Sequence, residues 1–181
     1  KDIQTALIDY ESVKVDTSYI SQDLFHTNFY GKIDTERNIV EAVNIINECK
    51  RPVIYAGGGI NISGANAELV AFAERIKAPV TCSLMGMGAF PGSHPYFTGM
   101  VGMHGTRLSN YAVTNCDLLI AVGARFSDRV ISRVEKFATH AKIIHIDIDP
   151  AEIGKNISAH IPVCGDVKNI LEILNKRVDE K

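Results

Sequence analysis

Five short apolar runs in this sequence each end in a group of small, flexible or acidic residues. Val53-Ile54-Tyr55-Ala56 leads into Gly57-Gly58-Gly59, Val80-Thr81-Cys82 into Ser83-Leu84-Met85-Gly86, and Leu118-Leu119-Ile120-Ala121-Val122 into Gly123-Ala124-Arg125. Ile143-Ile144-His145-Ile146 leads into Asp147, and Ile161-Pro162-Val163-Cys164 into Gly165-Asp166. Runs that are apolar throughout, rather than alternating, belong to strands covered on both faces, as in a parallel sheet. Ligands of such sheets bind outside the carboxyl ends of the strands, where several loops converge. The five loops therefore bound one crevice suited to a nucleotide-type ligand.

Helical patterns fill the intervals and give the strand–helix alternation of crossover units. The first is an amphipathic helix over Thr35 to Cys49, with Ile39, Val40, Val43, Ile45 and Ile46 on its apolar side and Asp34 or Thr35 as N-cap. Arg51-Pro52 stops it, because the residue before a proline is pushed out of the helical region. Further helices are expected over Ala65–Ile76, Gly105–Asn115, Val130–Ala138, Pro150–Lys155 and Val167–Lys176, with Pro150 in a first turn after Asp149. Tyr96–Met100 is a candidate sixth strand. Residues 1–34 have no sustained period and read as a linker or arm from a preceding domain; residues 35–181 read as one domain. The chain opens on Lys1 rather than Met and looks like an excised piece.

A length of 181 residues suffices for one core without disulfides or metals. The formal charge of -2, with acids and bases interspersed, gives neither a nucleic-acid footprint nor a basic membrane patch. No apolar run reaches the roughly 20 residues needed to span a bilayer, and a signal-peptide pattern is missing, so a cytoplasmic protein is expected. Cys49, Cys82, Cys116 and Cys164 have no metal-ligand or redox spacing and read as reduced structural thiols. The six histidines form no zinc-type cluster, and no metal site is expected.

The loops carry the chemistry. Gly57-Gly58-Gly59 allows backbone to wrap a phosphate or ribityl chain, or simply makes a tight strand-to-helix turn. The dinucleotide fingerprint is incomplete, since its third glycine falls at Ile62 and no acid follows the second strand at Cys82-Ser83. Ser83–Gly92 and Met100–Thr106 are glycine-rich yet carry methionines, whose polarizable thioethers suit the face of a flat heteroaromatic ring, or equally loop-to-core packing. His104 could cap a helix, face solvent or touch an anion. Arg125 could set its guanidinium against a phosphate or ring edge, while Arg125, Asp128 and Arg129 together could also be a surface ion-pair loop. Asp147, Asp149 and Asp166 are acceptors for ribose hydroxyls or an adenine amine, with N-capping the alternative at Asp149 and Asp166.

Taken together, "RPVIYAGGGI", "SLMGMGAFPG", "GMVGMHGT", "NYAV", "DLLIAVGARFSDRV", "KIIHIDIDPAEIGKN" and "VCGDV" resemble, in order and spacing, the central domain of the acetolactate (acetohydroxyacid) synthase large catalytic subunits, which are thiamine-diphosphate enzymes. The resemblance runs from about residue 36 to the end. It implies a doubly wound, six-stranded parallel sheet with helices on both faces, of the Rossmann-like, DHS-like NAD/FAD-binding kind, in the order 3-2-1-4-5-6. It also implies FAD lying extended across the carboxyl ends. Gly57, Gly58, Gly59 and Arg125 would face its centre, and Gly123 and Ala124 would also contact it. Ser83, Leu84, Met85, Met103 and His104 would lie toward its ring, and Asp147, Ile148, Gly165, Asp166 and Val167 at its adenosine end. Met103, His104, Asp128 and Arg129 match positions lining the route to the active site.

The intact enzymes of that family condense two 2-ketoacids, pyruvate with pyruvate or 2-ketobutyrate, in branched-chain amino-acid synthesis. Thiamine diphosphate, magnesium and the catalytic glutamate would belong to other domains, so the resemblance implies no catalytic residue here. It implies as partners the remaining domains, further copies in a homo-oligomer and a small regulatory subunit. The chain departs from many members at Ser127, where an aspartate is common, and at Ile131-Ser132, where a threonine-glycine pair is common. Two rival readings are a flavin-free spacer domain and a nicotinamide-binding deacetylase, the latter disfavoured by the lack of paired cysteines.

Overall fold

The computed structural model describes residues 33–131 and 137–181, all within one compact unit running from Ile33 to Lys181. Helix α1 (Thr35–Glu48) begins where the Asp34 carboxylate accepts the Arg37 amide at 3.1 Å. It ends before the Arg51-Pro52 turn, where the Asp117 carboxylate takes the amides of Lys50 and Arg51, both at 2.9 Å. Then come β1 (Pro52–Ala56), α2 (Gly58–Ser63), α3 (Asn66–Arg75), β2 (Val80–Cys82), a 3₁₀ turn (Leu84–Gly86) and β3 (Phe97–Met100). Helix α4 (Arg107–Asn115), β4 (Leu118–Val122), β5 (Lys142–Asp147), β6 (Ile161–Cys164) and α5 (Val167–Arg177) complete the unit.

All pairings are parallel and the sheet order is β3-β2-β1-β4-β5-β6, the doubly wound order in which the chain reverses direction between β1 and β4. Every residue of β1, β2 and β4 is buried, so the continuous apolar runs have the cause assigned to them. Ile54, Ala56, Ile120, Val122, Ile144 and Ile146 point to one face, under α1, α3 and α5; burying a side chain such as Leu69 or Phe72 there stabilises by about 1.5–3 kcal/mol. Val53, Tyr55, Leu119, Ala121 and Ile143 point to the other, covered by α4 and by the irregular segments holding Phe126, Val130, Ile131 and Ile157. At the sheet edge, Thr35 Oγ1 and Asn38 Nδ2 donate to the carbonyls of Cys164 and Pro162, so α1 covers the strand that Pro162 marks as an edge.

Several expectations change. The helix expected over Pro150–Lys155 is a series of turns: Glu152 and Lys155 donate to carbonyls three residues back rather than four, and Gly154 sits at φ 76, ending any helical path. The helix expected over Val130–Ala138 falls mostly outside the described residues, but its described ends are turn and bend, with Val130 and Ile131 both donating to the Ser127 carbonyl. Helix α4 starts at Arg107 rather than Gly105, because Thr106 is its N-cap and accepts the Ser109 amide. A short helix, α2, begins inside the glycine run at Gly58, where only a turn is expected from sequence. The arm expected over 1–34 lies, up to residue 32, outside the described residues.

Two expected outcomes concern the sheet centre. A Cβ built on Gly57 would stand 2.0 Å from the Gly123 carbonyl oxygen, whereas one on Gly92 meets nothing. Gly57→Ala should therefore lower stability in urea unfolding by about 1–3 kcal/mol or more, and Gly92→Ala should change it little. His145, fully buried on β5, is held neutral: burial pushes its pKa below the ordinary 6.5, against the opposing pull of Asp147, the Ala124 carbonyl and Glu152. Below pH 6.5 the unfolded chain binds a proton that the folded one resists, so this contribution is present above 6.5 and falls away as pH drops toward the lower folded value. The urea midpoint should drop between pH 7.5 and 5.5, and His145→Gln should flatten that drop; equal slopes in parent and variant would exclude His145 as its source.

Candidate functional site

The loops after β1, β2 and β4 meet backbone to backbone. Gly57 donates to the Val122 carbonyl at 2.9 Å and Gly59 to that of Gly123 at 3.0 Å, while Gly123, at φ 55, donates to Ile146 at 2.8 Å. A Cβ on Gly59 would come within 2.7 Å of Gly123 Cα, and one on Gly86 within 2.3 Å of the Ala56 oxygen. The glycines are thus required first by the approach of neighbouring loops. Gly57 packs wholly against Gly123–Ala124, and Gly58 and Gly59 are the members of the run that line open space.

That space is a crevice of about 670 Å³ along the carboxyl edge of the sheet. Its lining follows the sheet order. Ser83, Leu84 and Met85 come after β2; Gly58, Gly59, Ile62 and Ser63 after β1; Gly123, Arg125, Ser127, Arg129 and Val130 after β4. Asp147, Ile148, Asp149 and Glu152 come after β5, and Asp166 and Val167 after β6. Five adjacent strands at about 4.8 Å spacing make this a trough roughly 19 Å long. One end is apolar, with Ile62, Leu84 and Met85 each more than two-thirds exposed; the middle is glycine and arginine; the far end is carboxylate.

Local structure fixes each part. Ser83 Oγ accepts the Gly86 amide and sets the turn that presents Leu84 and Met85. The same loop is held from the α2–α3 side, where the Asn61 amide group donates to the Met85 and Met87 carbonyls and that of Asn66 to Gly88 and Ala89. Beyond β4, Ala124 and Phe126 are buried: the Ala124 carbonyl accepts from His145 Nε2 at 3.0 Å, and the Phe126 ring packs edge-on to His145 and tilted against Tyr55. The Gly154 amide donates to His145 Nδ1, which assigns the neutral Nε2–H tautomer. Burial raises the Tyr55 pKa, keeping its hydroxyl a neutral donor to the Arg125 carbonyl at 3.3 Å. With its neighbours pinned below, Arg125 is left exposed at the crevice.

The carboxylates are partly spent on backbone. Asp166 caps α5 by accepting the Asn169 amide, Asp149 Oδ1 accepts from Ala151, and Asp147 Oδ1 accepts from Asp149. Glu152 pairs with Lys155 at 2.9 Å.

Other expected residues stand elsewhere. Gly165 donates to the Asp147 carbonyl behind the lining, and Ala124 is buried beneath it. Met103 and His104 are exposed on a neighbouring loop that Asn110 clamps by two bonds to Gly102 and that meets the arginine loop through Met103 N–H to Arg129 O. Asp128 is exposed and, like them, lies outside the lining, whereas Arg129 is in it. Residues missed in the sequence are Ile62, Ser63, Val130 and Glu152, with Asn61 and Asn66 behind them. Ile62 had a signal, since it occupies the place of the fingerprint's third glycine.

All four cysteines are unpaired, and burial pushes the Cys116 thiol up to about 12. Among the described residues no group of three or more His, Cys, Asp or Glu could hold a metal ion, and no helix is long and apolar enough to cross a membrane.

Residues 39–174 match the family described as thiamine pyrophosphate enzyme, central domain. The probable acetolactate synthase large subunit of Methanocaldococcus jannaschii is 52% identical over 179 residues, covering 96% of this chain and 29% of that protein. Acetolactate synthase of Arthrospira platensis is 44% identical over 174 residues, covering 94% of this chain and 29% of that protein. Among solved structures, a putative thiamin diphosphate-dependent enzyme from Mycobacterium smegmatis superposes with a TM-score of 0.68 at 27% identity, over 81% of this chain and 28% of that one. The chain spans under a third of the length of these relatives. On the match and the six-stranded parallel sheet together, it belongs to the central-domain family of the thiamine pyrophosphate enzymes, and it is similar over most of its length to acetolactate synthase large subunits.

Proposed function

We propose that the crevice holds FAD, and that the chain is the flavin-binding central part of an acetolactate synthase large subunit. The order of chemistry along the trough carries this reading. An apolar, methionine-bearing end suits a flat ring, the Gly58–Gly59 and Arg125–Arg129 middle a pyrophosphate, and the carboxylate end an adenosine. The donor set fits: Arg125 and Arg129 are the cations of the lining and stand after β4, beside the switch point. Met103, His104 and Asp128, on the outer side of the arginine loop, would then lie along the route to the reacting centre.

In this reading the whole enzyme joins two 2-ketoacids, pyruvate with pyruvate or 2-ketobutyrate, for branched-chain amino-acid synthesis. Thiamine diphosphate and magnesium would be held by other domains of a cytoplasmic homo-oligomer that a small regulatory subunit could join. Because decarboxylation followed by carboligation has no net redox change, the flavin would supply a rigid wall rather than electrons. Within this chain, Arg125 holds negative charge, the Asn61–Asn66 clamp orients the ring platform, and the apolar end excludes water.

The purified chain should take up FAD, weakly for want of contacts made by other domains, and Arg125→Ala should cost about 1.5–3 kcal/mol, a ten- to hundredfold loss of affinity with unchanged circular dichroism. Asp128→Ala and Arg129→Ala should cost less. A titration without flavin uptake would favour the flavin-free spacer, and Arg125→Ala binding as the parent does would return this loop to a surface ion pair. The chain alone should also make no acetolactate from pyruvate with thiamine diphosphate, magnesium and FAD supplied. Turnover by a preparation free of longer enzyme would overturn the assignment of catalysis to other domains.

A further inference from the structure

We propose that the carboxylate end of the crevice selects nucleotides whose adenosine ribose bears free hydroxyls and rejects those phosphorylated on that ribose. The inference rests on the reading that the crevice holds an adenine dinucleotide, and it concerns which one. After β5 and β6 the lining includes Asp147, Asp149, Glu152 and Asp166 and neither lysine nor arginine. Lys155, close by in sequence, is tied to Glu152 and does not line the crevice.

The carboxylates are placed to accept hydrogen bonds. Asp147 is only 9% exposed, and its Oδ1 is engaged by the Asp149 amide. Its Oδ2 has no hydrogen-bond partner among the described residues and is not sealed from solvent, and the residue lines the crevice. Asp149 and Asp166 repeat the arrangement, each engaging Oδ1 with a backbone amide two or three residues on. A ribose diol brings two hydroxyl donors to such oxygens. A phosphate on either hydroxyl removes that donor, brings only acceptors and adds about two negative charges next to a buried carboxylate. Sites that accept a ribose phosphate place an arginine there. The turn series after β5 places Asp149 and Glu152 instead, so rejection is built in by repulsion as well as by lost bonds.

The test compares matched pairs that differ by one ribose phosphate. NAD against NADP probes the 2′ position, and dephospho-coenzyme A against coenzyme A the 3′ position. Each is titrated calorimetrically into the 181-residue chain, with FAD titrated in parallel. The unphosphorylated member of each pair should bind at least ~10-fold more tightly. In the Asp147→Asn/Asp149→Asn double variant, whose amide oxygens can still accept the same backbone bonds, the gap should shrink to about threefold or less. Equal affinities within the pairs, a gap unchanged in the double variant, or no binding by any of the four would overturn the proposal. FAD binding together with equal pair affinities sinks this inference and leaves the flavin reading intact. Preference within the pairs without FAD uptake does the reverse.

Discussion

The structure depends on the closeness with which the loop after β1 meets the loop after β4. Gly57 and Gly59 donate into Val122 and Gly123 where a single added carbon would overlap the Gly123 backbone. This contact lies between the two central strands, where the chain reverses its direction of travel across the sheet. Because it consists of backbone alone, the two half-sheets are fixed against each other without side chains filling the gap. Space remains above for a ligand to cross from one half to the other. A residue with a Cβ at Gly57 or Gly59 would have to part these loops, and the floor of the crevice would part with them.

From that contact the arginine loop inherits its position. Gly123 turns the chain through a left-handed conformation, Ala124 and Phe126 are drawn beneath it by His145 and Tyr55, and Arg125 is left above. The tautomer of His145 ties two site loops together, since one ring nitrogen donates to Ala124 and the other accepts from Gly154 in the turns that follow the carboxylates. A buried neutral imidazole with both nitrogens engaged is a rigid strut, and protonation would force one of its bonds to break. The cationic middle and the anionic end of the crevice are thus held at fixed separation by a residue that touches neither.

What could be read in the sequence follows from how local each cause is. The strands are legible because full burial leaves unbroken apolar runs, their order comes from the family resemblance alone, and β3, only half-buried and with a shifted register beside Val80–Thr81, gives the faintest signal. Helices α1 and α5 carry caps that sequence states directly, Asp34 and Asp166. The failures lie where geometry is set at a distance. Pro150 after Asp149 has the look of a helix start, but Gly154 ends the path within one turn and leaves only turns. The close approach of Gly57 to the Gly123 backbone is not legible, because a glycine that meets a ligand and one that meets another backbone look alike in sequence. Asn61 and Asn66 gave no warning at all, since their partners are carbonyls more than twenty residues on.

The two faces of the sheet carry different burdens. On one, α1, α3 and α5 bury a continuous core that meets the crevice at the start of α5, where Val167 belongs to both. On the other, α4 shares the cover with Phe126, Val130 and Ile131, which belong to the same loop as Arg125, Ser127 and Arg129. The undersides of these residues complete the core while their neighbours line the crevice. Packing on this face and the placing of cations in the site are therefore one structural variable. Ser127 sits at that junction, half-exposed in the crevice, with its carbonyl accepting the amides of both Val130 and Ile131. A change at this position acts on the turn that buries the loop as much as on the wall of the crevice.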